Sequence, residues 1–311
     1  MKNKRLPLIL LGVLLALVAL YFALVTMNNR RSEQEELDAQ NASIVICEFE
    51  EPELVSYTGP NGSLSFTKTD GVWKVDGDPD FPLQSSAIEL LCTTVDGLTA
   101  VRQLEGGEDI SSYGFDEPVY TVTLTDAAGD ELTLLIGNAA SNGDYYAMRD
   151  DGEAVYTISS SLPQLLYKGL LDLYELPAIP LSGGTVDTLS YTSTLEELQP
   201  SYSVEGLADD DTADSDAIIS LRSAWSAMAF SSCYAYQPDA DTVSQCGLDA
   251  PSLSLSIRYA EGSGTEIELG AQTDTGGYYA RLSGNNDIFI LSAQTADDLI
   301  SALADIGGDG E

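Results

Sequence analysis

The stretch that decides the fold is Tyr113-Gly114-Phe115-Asp116-Glu117-Pro118, which returns 133 residues later as Cys246-Gly247-Leu248-Asp249-Ala250-Pro251. The same offset aligns Gly137 with Gly270 without a gap. A repeat of this length matches a whole domain and is too long for one unit of a solenoid. The chain is therefore predicted to contain two tandem copies of one domain.

The repeated turn has the form Gly-x-Asp-x-Pro, with Gly114, Asp116 and Pro118 in the first copy and Gly247, Asp249 and Pro251 in the second. Glycine accepts a left-handed turn, aspartate bonds the backbone two residues on, and proline starts a strand without an N–H donor. These properties explain the motif without a ligand. We interpret it as a structural turn.

A pair of tyrosines also repeats, as Tyr145-Tyr146 and Tyr278-Tyr279. Neighbouring strand residues face opposite sides, so each pair sends one ring outward or into a crevice. Tyrosine favours strands and recognition surfaces alike. Packing is the simpler interpretation, and the four rings are kept as a candidate interaction surface whose exposed members the sequence does not identify.

The polarity pattern predicts mainly strands. Tyr120, Val122 and Leu124 alternate with threonines, as in a strand with one buried face. Residues 85–98 instead carry apolar side chains at helical spacing. The predicted fold class is α+β, with an N-terminal transmembrane helix followed by two tandem antiparallel-sheet domains that contain a few helices.

The N-terminal segment, residues 6–25, contains no charged residue and is long enough to cross the roughly 30 Å core of a bilayer. Lys2, Lys4 and Arg5 precede it, which favours a cytoplasmic N-terminus and places the bulk of the chain outside the cell membrane. A cleavable signal peptide is the competing interpretation. The predicted organisation is a stub and single membrane span at 1–31, an acidic spacer at 32–43, and repeats at 44–180 and 181–311.

The composition excludes several classes of function. The chain has 13 Lys and Arg, 50 Asp and Glu and no histidine, which gives a formal charge of −37. So negative a protein is not expected to bind nucleic acid, and the lack of histidine excludes Ser-His and Cys-His triads. Its acidic surface is expected to attract divalent cations nonspecifically.

No catalytic residue, cofactor site or metal site is predicted. Ser65 and Lys68 match a Ser-x-x-Lys pattern but lie on a predicted strand, where they face opposite sides. The aspartates at 209–216 lack the glycine and glutamate of an EF-hand. The cysteines show no Cys-x-x-Cys spacing, and whether Cys233 and Cys246 form a disulfide is left open.

The order of these motifs resembles a known family. The tryptophan of Gly71-Val72-Trp73-Lys74-Val75, the repeated turn, and Leu134-Leu135-Ile136-Gly137 before the first tyrosine pair are together similar to the bacterial domain of unknown function 4340. The resemblance implies a membrane-anchored protein, often encoded beside ABC-type export components like those of gliding motility. The family has no established catalytic residues to carry over.

We therefore expect a non-catalytic, extracytoplasmic accessory or binding component, associated with the permease and ATPase of an ABC-type transport system. The chain lacks a phosphate-binding Gly-x-x-x-x-Gly-Lys loop, so another chain would supply the ATPase. The alternative hypothesis is a free-standing cell-envelope binding or adhesion module. A carboxylate-dependent hydrolase is the third.

Overall fold

The computed structural model describes residues 44–104, 110–179, 186–207 and 216–308. These residues form two compact units. The first contains the described residues up to Asp80 together with Ser85–Lys168, and the second contains Phe81–Gln84 together with the described residues from Gly169 onward. Spatial contacts define these units, whereas the repeat bounds of 44–180 and 181–311 rest on the duplicated sequence and stay a prediction.

An antiparallel sheet of eight strands forms the body of the first unit. Its strands are β1 (Leu54–Gly59), β2 (Gly62–Thr69), β3 (Val72–Val75), β4 (Arg102–Gln103), β5 (Tyr120–Thr125), β6 (Glu131–Ala139), β7 (Tyr145–Arg149) and β8 (Tyr156–Ile158). Across the sheet they lie in the order β3-β2-β1-β5-β6-β7-β8-β4. In β5, Tyr120, Val122 and Leu124 are buried while the threonines between them are half-buried, so one face of the strand packs on the core.

The second unit contains a seven-stranded antiparallel sheet. Its strands are β9 (Val186–Ser193), β10 (Ser201–Val204), β11 (Phe230–Ala235), β12 (Leu253–Tyr259), β13 (Gly264–Gln272), β14 (Tyr278–Leu282) and β15 (Ile288–Leu291). Their order, β10-β9-β12-β13-β14-β15-β11, repeats that of the first sheet from β2 to β4. Within the described part of the chain the second sheet has no counterpart of β3, because β10 pairs with β9 as β2 pairs with β1 and no further described strand lies beyond β10.

Four of the five α-helices in the described ranges contribute buried apolar residues to the two cores. The five helices are α1 (Ser85–Val95), α2 (Ser161–Leu166), α3 (Asp216–Ser226), α4 (Ala240–Gln245) and α5 (Ala293–Gly308). Helix α1 buries four residues at helical spacing, Ile88, Leu91, Cys92 and Val95. In the second unit α3 packs against α5 and buries Trp225, whose indole N–H donates to the Tyr259 hydroxyl at 2.8 Å.

The predicted fold class requires correction in its first element. The predicted span 6–25 and the spacer 32–43 lie outside the described residues. Within the described ranges, no helix combines the length and the apolar character needed to cross a bilayer. The longest, α5, has 16 residues, about 24 Å of helical rise, and carries Asp297 and Asp298. Including a membrane-spanning helix in the fold class was therefore wrong, and the fold observed is two antiparallel sheets with five helices among the described residues.

Two short segments, Phe81–Gln84 and 169–176, run side by side in the second unit, and we call them the strap. The Gln84 N–H donates to the Leu173 carbonyl at 2.8 Å, and the Glu175 N–H donates to the Pro82 carbonyl at 2.7 Å. The two segments are far apart in the chain, yet they form one short antiparallel pair. The strap is therefore held by its own backbone hydrogen bonds.

A buried acid attaches the strap to the rest of the second unit. Asp287 is only 7% exposed. Its Oδ2 accepts a hydrogen bond of 2.6 Å from the Tyr174 hydroxyl, and its Oδ1 accepts one of 2.7 Å from the Gln237 N–H. Since a buried carboxylate without partners is costly, these two donors are required for the acid to be stable where it lies.

Aromatic packing adds a second attachment. The Tyr174 ring lies edge-on to Phe81 and to Phe289, with centroids 5.6 Å apart in both pairs. Phe289 in turn stacks on Phe230 of β11 at 4.6 Å. Such pairs add to the free energy gained from burial alone. The strap thus completes the apolar core of the second unit.

Replacing Tyr174 by Phe tests the attachment, since it removes the hydroxyl and keeps the ring. We expect the free energy of unfolding to fall by about 1–3 kcal/mol, because one oxygen of the buried Asp287 loses its donor. Urea unfolding measures the change. The matched control is Tyr167→Phe, whose ring is 56% exposed and which should shift stability by less than about 0.5 kcal/mol. Equal losses in the two variants would contradict the role given to Tyr174.

Candidate functional site

The repeated turn of the first unit lies directly on strand β6. Gly114 has a φ of +86°, a left-handed conformation that favours glycine. A Cβ added to Gly137 of β6 would lie 2.1 Å from the carbonyl oxygen of Tyr113. Only glycine allows this approach, so the turn and the strand are matched to each other. Asp116 is exposed, and Pro118 is half-buried just before β5.

The turn of the second unit repeats this contact. Gly247 has a φ of +69°, and a Cβ on Gly270 of β13 would lie 2.0 Å from the carbonyl oxygen of Cys246. The same oxygen accepts a 2.7 Å hydrogen bond from the Ala271 N–H. Asp249 is exposed and accepts a 3.1 Å bond from the Ser244 hydroxyl. Pro251 is half-buried before β12, as Pro118 is before β5.

The turns and the tyrosine pairs, which the sequence presented as separate motifs, lie together in the structure. In the first unit Tyr113 and Phe115 form a small apolar cluster with Met148 and Val155, and Tyr146 packs against it. The centroids of the Tyr146 and Tyr113 rings are 4.6 Å apart. In the second unit Cys246, Leu248 and Ile288 form the equivalent cluster, with Tyr279 packed against it.

The remaining tyrosine of each pair faces the other side of its strand. Tyr145 lies edge-on to Tyr120, with centroids 6.2 Å apart. Tyr278 is buried, with 8% exposure, whereas Tyr145, Tyr146 and Tyr279 are half-buried. Tyr279 contacts Tyr234, an exposed ring of the edge strand β11, at 4.6 Å. Tyr146 and Tyr279 are therefore the pair members that pack against the cluster of the repeated turn and are also partly exposed to solvent.

A polar cleft of about 370 Å³ opens beside Tyr146 in the first unit. Arg102 and Thr157, which face each other across β4 and β8, line one side, and the β6–β7 loop with Asn142 and Asp144 lines the other. That loop is fixed internally, because the Asn142 amide donates to the Asp144 carboxylate at 2.6 Å. The cleft thus offers an exposed guanidinium, a carboxylate, an amide and a tyrosine ring.

The polar side chains of this cleft are not repeated at the equivalent described positions of the second unit. At the repeat offset, Asn142, Asp144 and Thr157 correspond to Thr275, Gly277 and Ile290. The apolar support for the tyrosine is thus kept in both copies, while the polar lining is not. The chemistry available in the cleft is hydrogen bonding to a polar ligand or partner. Sequence reasoning missed the cleft because its cation and its loop lie some forty positions apart in the chain.

The described residues provide no constellation for metal binding. Among them, no three Asp, Glu or Cys side chains are grouped so that they hold an ion. The aspartate run at 209–216 lies outside the described residues except for Asp216, which begins α3. Specific cation binding is therefore not assigned to any described group.

The cysteines are free and buried. Cys233 and Cys246 are not bridged, which answers for this structure the question that their spacing left open. Burial raises the pKa of Cys47 and Cys92 to about 11 and that of Cys233 to about 12. A thiol with so high a pKa stays protonated at neutral pH and is a poor nucleophile.

Comparisons with known proteins agree with the duplication. The family model described as "Domain of unknown function (DUF4340)" matches residues 73–212 and again residues 207–306. The two matches confirm the tandem repeat and together span more than half of the chain. No curated protein and no solved structure matches the chain.

Replacing Gly270 by Ala tests the close contact between turn and strand. We expect a loss of more than about 2 kcal/mol in stability, because the new methyl group would collide with the backbone oxygen of Cys246 and the turn would have to move. Gly137→Ala should cause a loss of stability of similar size in the first unit, where the new methyl group would collide with the carbonyl oxygen of Tyr113. Gly262→Ala is the control, since its φ is +90° with no atom within 4 Å of an added Cβ, and it should cost about 1 kcal/mol. Losses of the same size at Gly262 and Gly270 in urea unfolding would contradict the collision.

Stability should fall in alkali. The folded chain keeps protons on Cys47, Cys92 and Cys233 at a pH where the unfolded chain has lost them, so the folded state binds more protons and stability decreases as pH rises. Starting from the ordinary thiol value of 9.0, the loss should begin near pH 9 and grow to about pH 11. Urea unfolding at a series of pH values measures it, and Cys92→Val should flatten the slope. A stability that is constant from pH 8 to pH 11 would disprove the expectation.

Proposed function

Because the chain belongs to the family described as domain of unknown function (DUF4340), we propose that it is a non-catalytic accessory or binding component of an ABC-type transport system. In this proposal its two units work on the outer side of the cytoplasmic membrane. The observation that carries the proposal is the duplicated fold, in which two sheets of the same strand order each present a turn and a tyrosine as one packed surface feature. Two related surfaces on one chain favour binding to an assembly through several contacts at once.

The proposal assigns no catalytic role to the cysteines and tyrosines whose pKa values are raised. Where the pKa values of cysteines and tyrosines are raised, burial is the largest cause, as for Cys233 and Tyr174. Groups that act as general acids, bases or nucleophiles usually have a pKa moved toward neutrality by a specific partner, whereas these have moved away from it. The shifts are those of packed structural groups.

The charge of the chain favours a basic partner. With a formal charge of −37, the protein approaches a positively charged surface faster and is repelled by an acidic one. The sequence has no phosphate-binding loop of the Gly-x-x-x-x-Gly-Lys type, so ATP hydrolysis would be supplied by another subunit. A permease and an ATPase are the partners proposed.

Co-purification tests the proposal. The tagged full chain, isolated from its own cells in mild detergent, should bring down an ABC permease and ATPase that mass spectrometry identifies. If the polar cleft contributes to the contact, Arg102→Glu should reduce the recovery several-fold, because it reverses the charge that lines the cleft. Lys74→Glu is the matched control, since it makes the same charge change on β3 of the same unit and should leave the recovery unchanged.

The result that would contradict the proposal is specific. Repeated isolation of the folded chain without either transport subunit argues against it. If the same preparation binds isolated cell wall, the free-standing envelope module becomes the better description. Hydrolysis of a wall polymer by the purified chain would instead favour an enzyme.

A further inference from the structure

A second cleft, of about 450 Å³, lies within the second unit. Ser231, Ser232 and Cys233 of the strand β11 form one wall. Residues of the strap form the other, namely Gln84, Leu171, Asp172, Tyr174, Glu175 and Leu176. The wall formed by β11 is extended backbone, whereas in the strap Leu170–Leu173 form a turn of 3-10 helix and the chain becomes extended at Tyr174. A groove of this form is suited to a segment of peptide rather than to a compact ligand.

Strand β11 is the last strand of its sheet. Among the described strands it pairs only with β15, so its other edge carries N–H and C=O groups that no described strand pairs, and its residues Ser231, Ser232 and Cys233 line the cleft. Among the described residues, no backbone outside β15 is hydrogen-bonded to β11. An added strand is the partner that satisfies such a row of donors and acceptors.

The edge is short and irregular. Its pairing with β15 shifts register between Phe230 and Ser232 and again between Cys233 and Ala235. Bulges of this kind prevent long flat edges from joining to one another. The register shifts, together with repulsion between two strongly acidic chains, disfavour a second copy as the occupant. Neither feature disfavours a short peptide segment of a different chain, which could pair with a few residues of β11 and contact the strap.

The opposite wall is preorganised. The strap is held by the Gln84–Leu173 and Glu175–Pro82 backbone hydrogen bonds, and Tyr174 is fixed by Asp287. A rigid wall lowers the entropic cost of ordering the site when a peptide binds. Only the incoming segment has to become ordered.

The wall of the strap also sets the charge of the cleft. Asp172 and Glu175 line it, and both are exposed. Asp172 is fixed in place, because its carboxylate accepts a 2.8 Å hydrogen bond from the Gly169 N–H. No lysine or arginine is among the residues that line the cleft in the described part of the chain. The complementary occupant is therefore cationic.

From these features we propose that the cleft binds an extended peptide segment carrying lysine or arginine, which adds to the free edge of β11 as a further antiparallel or parallel strand. The backbone of the segment bonds to β11, and its basic side chains face Asp172 and Glu175. The inference goes beyond the proposed transport function and does not depend on it, because it concerns the purified chain and a synthetic probe.

The probe is a fluorescent, end-blocked eight-residue peptide of alternating threonine and lysine. Anisotropy titration with the purified full chain in 150 mM salt should show saturable binding. Two matched peptides separate backbone from charge: one is N-methylated at alternate amides, and the other has glutamate in place of lysine. Neither should bind, since the first cannot form the strand hydrogen bonds and the second has the wrong charge.

Variants and hydrogen exchange locate the site. Glu175→Lys should weaken binding of the threonine-lysine peptide about fivefold, because it removes an attraction and adds a repulsion. Glu205→Lys, an exposed acid beside the opposite edge strand β10, makes the same charge change and should have little effect. Bound peptide should slow amide exchange in residues 230–235 and leave residues 201–204 unchanged.

Three results would each overturn the inference. Equal affinity for the N-methylated peptide would exclude strand addition. Equal weakening by Glu175→Lys and Glu205→Lys would mean that the peptide follows the overall charge of the chain. Protection of residues 201–204 in place of 230–235 would move the site to the other edge. None of these results bears on the recovery of transport subunits, so the two proposals fail independently.

Discussion

In each unit a backbone carbonyl occupies the space where a side chain would otherwise stand. The oxygen of Tyr113 rests over Gly137, and the oxygen of Cys246 rests over Gly270. These contacts fix the height of the turn above the sheet, and thereby the position of the apolar cluster that Tyr146 or Tyr279 covers. Protein interiors are packed as densely as organic crystals, so adding one methyl group at either glycine would displace the turn and the apolar cluster attached to it. The constraint also explains why the two copies share glycines more strictly than they share the residues around them.

The two units share a strand order but differ in the side chains that line their surface clefts. The first has a polar cleft with Arg102 beside Tyr146, whereas the second places apolar or small residues at the corresponding positions. The second instead has the acidic groove between β11 and the strap. Core packing limits substitutions, whereas surface loops tolerate them and commonly carry binding residues. One chain thus carries two different clefts on the same strand order.

The strap shows how a polar interaction can fix part of a core. Tyr174 and Asp287 are separated by 113 positions in sequence and are joined by one short hydrogen bond inside the second unit. A buried carboxylate is stable only where donors are already in place, so the bond selects a single position for the strap. Its aromatic neighbours Phe81 and Phe289 supply the apolar contact that makes that position favourable. The hydrogen bond to Asp287 therefore selects the position of the strap, whereas the packing of the aromatic rings supplies most of the free energy that stabilises it.

The sequence by itself determined the duplication, the strand pattern, the apolar face of α1 and the sign of the charge, because these depend on residue type and on local periods of 2 and 3.6 residues. It also identified the glycines of the turn and the tyrosine pairs as separate motifs. Only the tertiary structure brought Tyr146 onto Tyr113, Tyr174 onto Asp287 and the strap beside β11. It also placed β10 at the end of the described second sheet, where it pairs with β9 as β2 pairs with β1. Such contacts join residues that are distant in the chain, and they are selected by strand register and by the space left in a packed core, neither of which a local pattern records.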